Sequence, residues 1–296
     1  MAQTQAIQRR IRSVKNAGQI TKALEVVAAS RMRRIQDSVT KVRHYDQIAE
    51  SIMRRMASSR EAHQHPYFRA GSGKTKLYIL FSSDRGQAGA FNSNVFSQAH
   101  RSFMQDKIDG FKSMAVVFGR KGANHFAHLA QEIELLGTYE NIADMPDVNI
   151  FAPVLETIKD GYAENKFASV QIIYTEFKSS LSQQVHQTQL LPITLDEAVQ
   201  TTEDSGISEN TVYEFEPGIE AVLEEALQLY FESRFMAARV ESAASEHAMR
   251  MIAMGNANRN ARDLTDALTL ELNSVRQAAI TQEIAEITGG AQAISG

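Results

Sequence analysis

The sequence predicts an α/β protein with unusually long helices, in which an antiparallel two-helix coiled coil formed by the N- and C-terminal segments encloses a central domain. Three observations carry this expectation. All five prolines, Pro66, Pro146, Pro153, Pro192 and Pro217, lie between residues 66 and 217. A proline inside a helix removes a donor and costs about 3 kcal/mol, so the proline-free flanks permit two uninterrupted helices. Glycine is segregated too, with only Gly18 in 1–65 and only Gly255 in 219–288. The middle instead carries short β-branched and aromatic runs separated by segments of helical length, the pattern of a Rossmann-like α/β domain with a mainly parallel sheet.

The first element is a helix over about 3–58. From Ala28 its apolar stripe reads Ala28, Met32, Ile35, Val39, Val42, Ala49, Met53 and Met56, in steps of three and four and broken by Asp46. Upstream, Ile7, Ile11, Val14, Ile20, Leu24 and Val27 read as a related stripe displaced around the helix near Gly18. In the middle, 76–81, 113–118 and 169–174 read as strands, with helices over 93–109, 121–135 and 147–165. Gln184–Ile193 reads as an added edge strand ending at Pro192, and Thr201–Asn210 as a loose connection.

The last helix is expected to start after Pro217-Gly218. Its stripe runs Tyr230, Ser233, Ala237, Val240, Ala244, His247, Met251, Met254, Asn258 and Ala261, then Leu264, Leu268, Leu272, Val275 and Ala279. Small side chains on a seam let two backbones approach closely, so tight antiparallel packing of 1–58 on 217–275 is expected, unless a two-fold dimer supplies the partner. At 1.5 Å per residue the two helices reach roughly 80 and 105 Å, which is a rod with a knob. The expected domains are 1–60 with 211–296 as a discontinuous shaft, and 74–200 as the central α/β domain.

Charge supports the pairing. Residues 1–60 hold thirteen Lys/Arg against four Asp/Glu, and 201–296 hold six against sixteen. Exposed ion pairs contribute only about 0–1 kcal/mol each, so charge sets orientation while apolar burial supplies stability. The basic start resembles a transit leader in composition, but it runs on through Arg60 within the heptad pattern, so it is read as part of the shaft. No run of eighteen apolar residues suggests a spanning helix, and the absence of cysteine removes thiolate chemistry and disulfides.

Catalytic motifs are poorly represented. Gly71-Ser-Gly-Lys-Thr75 resembles the tail of a phosphate loop, but Phe68 stands where that loop needs glycine, and the segment precedes a strand instead of following one. It reads as a flexible entry to the domain. Ser83-Asp-Arg-Gly-Gln-Ala-Gly-Ala90 follows the first strand, where open sheets place ligands, yet its glycine spacing is not that of a dinucleotide fingerprint. A structural turn that holds Asp84 and Arg85 in hydrogen bonds is the expectation. His63/His65 and His125/His128 lack a third ligand at metal spacing and read as solvated or packed. The Arg31-Met-Arg-Arg34 cluster has no interleaved aromatics, so no nucleic-acid partner is expected. No catalytic residue, metal or cofactor is assigned.

More specific is Arg276-Gln-Ala-Ala-Ile-Thr-Gln-Glu-Ile-Ala-Glu-Ile-Thr-Gly-Gly-Ala291, which closely resembles the C-terminal motif of the γ subunits of F-type ATP synthases. Gln19–Arg34 is similar to that family's N-terminal helix motif, and Ser83-Asp-Arg-Gly with Phe91-Asn-Ser-Asn94 to the loop after its first central strand. The chain departs from the pattern at Gln87–Ala90, at Gly255–Ala261, and at Leu272 and Ser274.

The resemblance implies a non-catalytic central-stalk rotor, present once per complex, that passes torque between a proton- or sodium-driven c-ring and the catalytic head. It implies α, β and ε subunits and the c-ring as partners, and a peripheral position on the cytoplasmic face of the bacterial plasma membrane. Leu24, Arg250, Arg276, Gln277, Thr281 and Glu283 match positions that engage the head, and Tyr213 and Glu216 positions on the c-ring side. The alternative is a non-rotating coiled-coil adaptor of the same architecture.

Overall fold

The computed structural model describes residues 2–57, 65–129, 133–193 and 218–295. In chain order the main elements are α1 (Ala2–Ala57), β1 (Thr75–Phe81), α2 (Phe91–Asp109), β2 (Lys112–Phe118), α3 (Arg120–Ala127), β3 (Glu134–Tyr139), α4 (Ala152–Ala163), β4 (Phe167–Phe177), β5 (Gln183–Leu191) and α5 (Ile219–Ser295). The chain divides into two units, Ser30–Met249 and Met1–Ala29 with Arg250–Gly296.

The larger unit is built on a five-stranded sheet of order β3-β2-β1-β4-β5. The first four strands run parallel, and β5 closes one edge antiparallel to β4. Alternation along β1 explains the layers. Leu77, Ile79 and Phe81 face a core completed by Val154, Leu155 and Ile158 of α4, Met53 and Met56 of α1, and Phe231 and Phe235 of α5. Tyr78 and Leu80 face the opposite core with Val95 and Phe103 of α2 and Phe126 of α3. Side chains two apart share a face, so stretches buried on both sides must be apolar throughout, as 77–81 of β1 and 114–118 of β2 are.

Two expectations about the domain are corrected. Residues 121–135 are not one helix: α3 stops at Ala127 and β3 begins at Glu134 as an outer strand beside β2. The Gly71–Thr75 segment is also no loose entry. A Cβ at Gly71 would lie 2.1 Å from the Phe167 carbonyl oxygen, so the main chain passes against the start of β4 where only glycine fits. The expected edge strand is present as β5. Thr201–Asn210, His63, Tyr213 and Glu216 lie outside the described residues.

In the smaller unit α1 and α5 pack with their numbering running in opposite directions, Gly18 against Ala261 and Glu25 against Gly255. The seam of α1 holds Ile7, Ile11, Val14, Gly18, Thr21, Leu24 with Glu25, and Ala28 at its less exposed positions. The expected displacement near Gly18 is therefore wrong: Ile20 and Val27 point outward, 62% and 51% exposed, and the seam passes through Gly18 in unbroken heptad phase. A Cβ there would stand 3.3 Å from that of Ala261, so hydrogen at this position lets the helices close. On α5 the same correction applies to Leu264, which is 41% exposed, while Thr265 is buried and returns its hydroxyl to the Ala261 carbonyl at 2.7 Å.

Candidate functional site: the joint between helices and sheet

The chemistry-bearing end of an open parallel sheet is the crevice beyond the strand ends at the point where connections reverse, here between β1 and β4. β4 pairs with β1 only as far as Ile173 and then continues to Phe177. Its main chain on that side needs partners. The helices supply them. Ser242 Oγ accepts from the Thr175 amide at 3.3 Å, Ser245 Oγ donates to the Thr175 carbonyl at 3.1 Å, and Glu241 Oε2 accepts from the Phe177 amide at 3.1 Å. Arg43 of α1 donates to the Phe177 carbonyl at 3.1 Å and to Glu241 Oε1 at 2.9 Å. Side chains of α1 and α5 thus act as the missing neighbouring strand and occupy the crevice.

Electrostatics tighten the joint. Burial pushes the Glu241 carboxyl up, with Arg43 and the Phe177 amide pulling against it, so the pair holds together as a hydrogen-bonded unit. A second contact lies after β3. Arg239 of α5 donates to the carbonyls of Ile142 at 2.8 Å and Ala143 at 3.1 Å, and His247 Nε2 meets Asp144 Oδ2 at 2.9 Å. Burial works to raise the Asp144 carboxyl, but the hydrogen bond with His247 and the charges of Arg239 and Arg31 hold it below the usual carboxylate range. Apart from His247, read as a seam position, and Arg31, read as part of a basic cluster, none of these residues stood out in the sequence. Their signal was polar side chains on the second stripe of a helix that also packs on a sheet.

The loop after β1 is structural, as expected. Asn92 Oδ1 accepts from the Ser83 amide at 3.0 Å and its Nδ2 donates to Ser83 Oγ at 2.7 Å. Asp84 Oδ1 accepts from the Arg120 amide at 3.0 Å, and the Arg85 carbonyl accepts from Ser83 Oγ at 2.7 Å. The two halves of this motif hydrogen-bond each other. His125 is packed as expected, stacked on Phe96 at 4.3 Å, but its Nε2 faces that of His100 at 3.0 Å, a partner the sequence did not indicate.

The residues singled out for the head do not form one cluster. Leu24 and Arg250 are half-buried, while Arg276, Gln277, Thr281 and Glu283 are exposed on α5. Arg276 lies about 39 Å along the helix from Arg250 at 1.5 Å per residue. Thr281 Oγ1 donates to the Gln277 carbonyl at 2.9 Å, which satisfies the hydroxyl within the helix.

Fold and joint together define a class: an α/β domain clamped by a pair of very long terminal helices, with the usual ligand crevice given over to holding them. The chain matches the sequence profile of the family described as ATP synthase over residues 3–294. It is 38% identical over 293 residues to an ATP synthase gamma chain of Symbiobacterium thermophilum, covering 98% of each chain. With that of Heliobacterium modesticaldum it shares 37% over 293 residues, covering 97% of this chain and 98% of the relative. A chain of the Euglena gracilis mitochondrial ATP synthase is similar in fold, with a TM-score of 0.66 and 20% identity over 99% of this chain and 95% of that one. A chain of the Tetrahymena thermophila mitochondrial ATP synthase central stalk and c-ring has a TM-score of 0.60 and 24% identity, over 80% of this chain and 99% of its own. This chain belongs to the ATP synthase gamma chain family.

Proposed function

We infer that the chain is the central-stalk rotor subunit of an ATP synthase, carrying torque between a membrane ring and the catalytic head. The observation that carries this reading is the joint: both helices are bonded to the main chain of β4, so force on the domain reaches the helices through short hydrogen bonds and an ion pair. The full-length match to gamma chains favours a rotor over a non-rotating adaptor. The Tetrahymena neighbour, similar in fold, comes from a structure of an ATP synthase central stalk and c-ring.

On this reading the subunit is non-catalytic and meets α, β and ε subunits and the c-ring, one copy per complex. Its place is peripheral, on the cytoplasmic face of a bacterial plasma membrane. Among the described residues no helix is long and apolar enough to cross a membrane. Leu24, Arg250, Arg276, Gln277, Thr281 and Glu283 would engage the head, and Tyr213 and Glu216 the c-ring side. A single off-axis shaft meets three otherwise equivalent catalytic subunits differently, and each 1.4 kcal/mol of differential contact moves a conformational equilibrium about tenfold.

The test is Arg276→Ala and Gln277→Ala in the reconstituted complex. Ion-driven synthesis is expected to fall by about tenfold if each contact supplies about that differential energy, with the helicity of the isolated chain unchanged. Unchanged synthesis in both variants removes the roles assigned to these two residues. Failure of the chain to co-purify with catalytic subunits removes the rotor reading itself.

A further inference from the structure

The buried seam of α1 between Ala28 and Met56 is apolar except at Asp46. Ala28, Met32, Ile35, Val39, Ala49, Met53 and Met56 are all buried, and so is the Asp46 carboxylate. Both of its oxygens are engaged by α5. Ser233 Oγ donates to Oδ1 at 3.1 Å, and Arg234 Nη1 donates to Oδ2 at 2.9 Å. The other arm of Arg234 donates to Glu50 Oε2 at 2.8 Å, whose Oε1 accepts from Arg54 at 2.6 Å. The guanidinium lies 5.2 Å from the Tyr230 ring, and its Nε is buried with no hydrogen-bond partner. Burial raises the Asp46 carboxyl against the opposing pull of Arg234 and Ser233.

Such a group is a poor source of stability. Removing two charges from water costs about as much as their attraction returns, and apolar replacements of similar volume are often neutral or better. What it supplies is discrimination between registers. A slip of one heptad along the seam sets Asp46 against Ala226 and Leu227 in one direction or Val240 and Glu241 in the other, and Arg234 against Val39 or Met53. Each charge then loses its partner and is buried opposite apolar side chains, with the like charge of Glu241 beside Asp46 in one direction, whereas the apolar and small residues around them exchange one contact for another of the same kind. The other ion pair between the two helices, Arg43 with Glu241 at the β4 joint, would break in the same slip; within the apolar seam itself, Asp46 with Arg234 is what distinguishes the native setting.

We propose that Asp46 and Arg234, supported by Ser233 and Glu50, are positioning residues that pin α1 and α5 at one axial register under load, so that torque turns the subunit instead of sliding one helix along the other. The load-bearing part rests on the rotor reading; the register part does not.

The first variant joins Asp46→Leu with Arg234→Met, making the seam apolar throughout. In the assembled complex we expect a thermal midpoint and ATP hydrolysis rate near those of the unmodified protein. We also expect the ions moved per ATP to fall at least about twofold, as other registers become populated. The second pairs Asp46→Cys with Ser233→Cys in a chain that has no cysteine of its own. Oxidation should restore the ion-to-ATP ratio that reduction lowers, a rescue that loss of packing would not show.

Register is read separately with spin labels on the exposed positions Gln47 and Glu225 of the full chain. One narrow distance is expected in the unmodified protein. In the Leu/Met variant a second population should appear, from a slip of about 10 Å, seven residues at 1.5 Å each. A single unchanged distance, or a ratio that neither variant moves, overturns the proposal. A new distance with no ion movement coupled to hydrolysis even in the unmodified complex keeps the pin and refutes the rotor.

Discussion

Gly18→Ala combined with Ala261→Gly tests whether the close approach of the two helices is what demands glycine. The new Cβ would stand 3.3 Å from the Ala261 Cβ, inside the 3.5–4.0 Å optimum for two carbons. Relief cannot come from rotating a side chain, because both groups are methyls fixed to helical backbone. Alanine gains about 1 kcal/mol of helix propensity over glycine, and overpacking a fitted interface costs roughly 1–3 kcal/mol, so Gly18→Ala alone should destabilise by about 1 kcal/mol. Ala261→Gly alone loses about 1 kcal/mol of propensity and about 0.8 kcal/mol of buried methyl, close to 2 kcal/mol in all. Additivity would give about 3 kcal/mol for the pair. The pair merely moves one methyl across the seam and one glycine from α1 to α5, so we expect it within about 0.5 kcal/mol of the starting protein. Urea unfolding of the full chain followed by helical circular dichroism measures all four corners. An additive double variant, or a Gly18→Ala chain stabilised by the full propensity gain, would refute the argument that contact distance fixes this residue.

Two further outcomes are expected. Asp106 is buried and accepts from Tyr78 Oη at 2.7 Å, Ser113 Oγ at 2.9 Å and Lys76 Nζ at 2.7 Å, so Asp106→Leu should cost about 3–5 kcal/mol in chemical unfolding by stranding three polar groups. A loss below about 1 kcal/mol would show that water replaces the carboxylate. His125 is held below its ordinary value of 6.5, chiefly by burial and secondarily by His100 and His128. The unfolded chain then binds the proton more readily than the folded one, so this group's contribution is complete above 6.5 and is lost as pH falls below it. His125→Phe, which keeps a ring against Phe96, should flatten that acid-side slope; an unchanged slope assigns it elsewhere.

Much of the fold was legible because the periods are long and unmixed. A strand buried on both faces, such as β1 over 77–81, is a block of apolar residues, and a helix of more than fifty residues without proline leaves few alternatives. β3 was missed because an outer strand need bury little: Glu134 and Thr138 are exposed, and Gly137 interrupts what apolar signal remains. The seam near Gly18 was misread for a related reason. Hydrophobicity drew attention to Ile20 and Val27, but where backbones nearly touch the seam belongs to hydrogen, methyl and hydroxyl, as Gly18, Ala261 and Thr265 show. The joint residues Arg43, Glu241, Ser242 and Ser245 were illegible because their partners are main-chain atoms of β4, 64 to 70 residues from the three on α5 and 134 from Arg43, while Arg43 and Glu241 themselves pair across 198 residues. The residues proposed to meet the head came only from resemblance to a family. Groups that act on another subunit leave no mark on their own chain's packing.

The switch point of the sheet shows how one architecture serves two ends. A ligand site there requires open main-chain groups and a loop whose amides turn toward the crevice. In this chain β4 overshoots β1, and its free groups are taken by Ser242, Ser245, Glu241 and Arg43. The loop after β1 spends its polar groups on Asn92 and Arg120. A bound small molecule would have to compete with these contacts. What a ligand would have gained in affinity is used instead to fix two helices to a sheet. Because those contacts are directional and anchored in main chain, they resist twisting in a way that apolar packing alone, which can slide, does not.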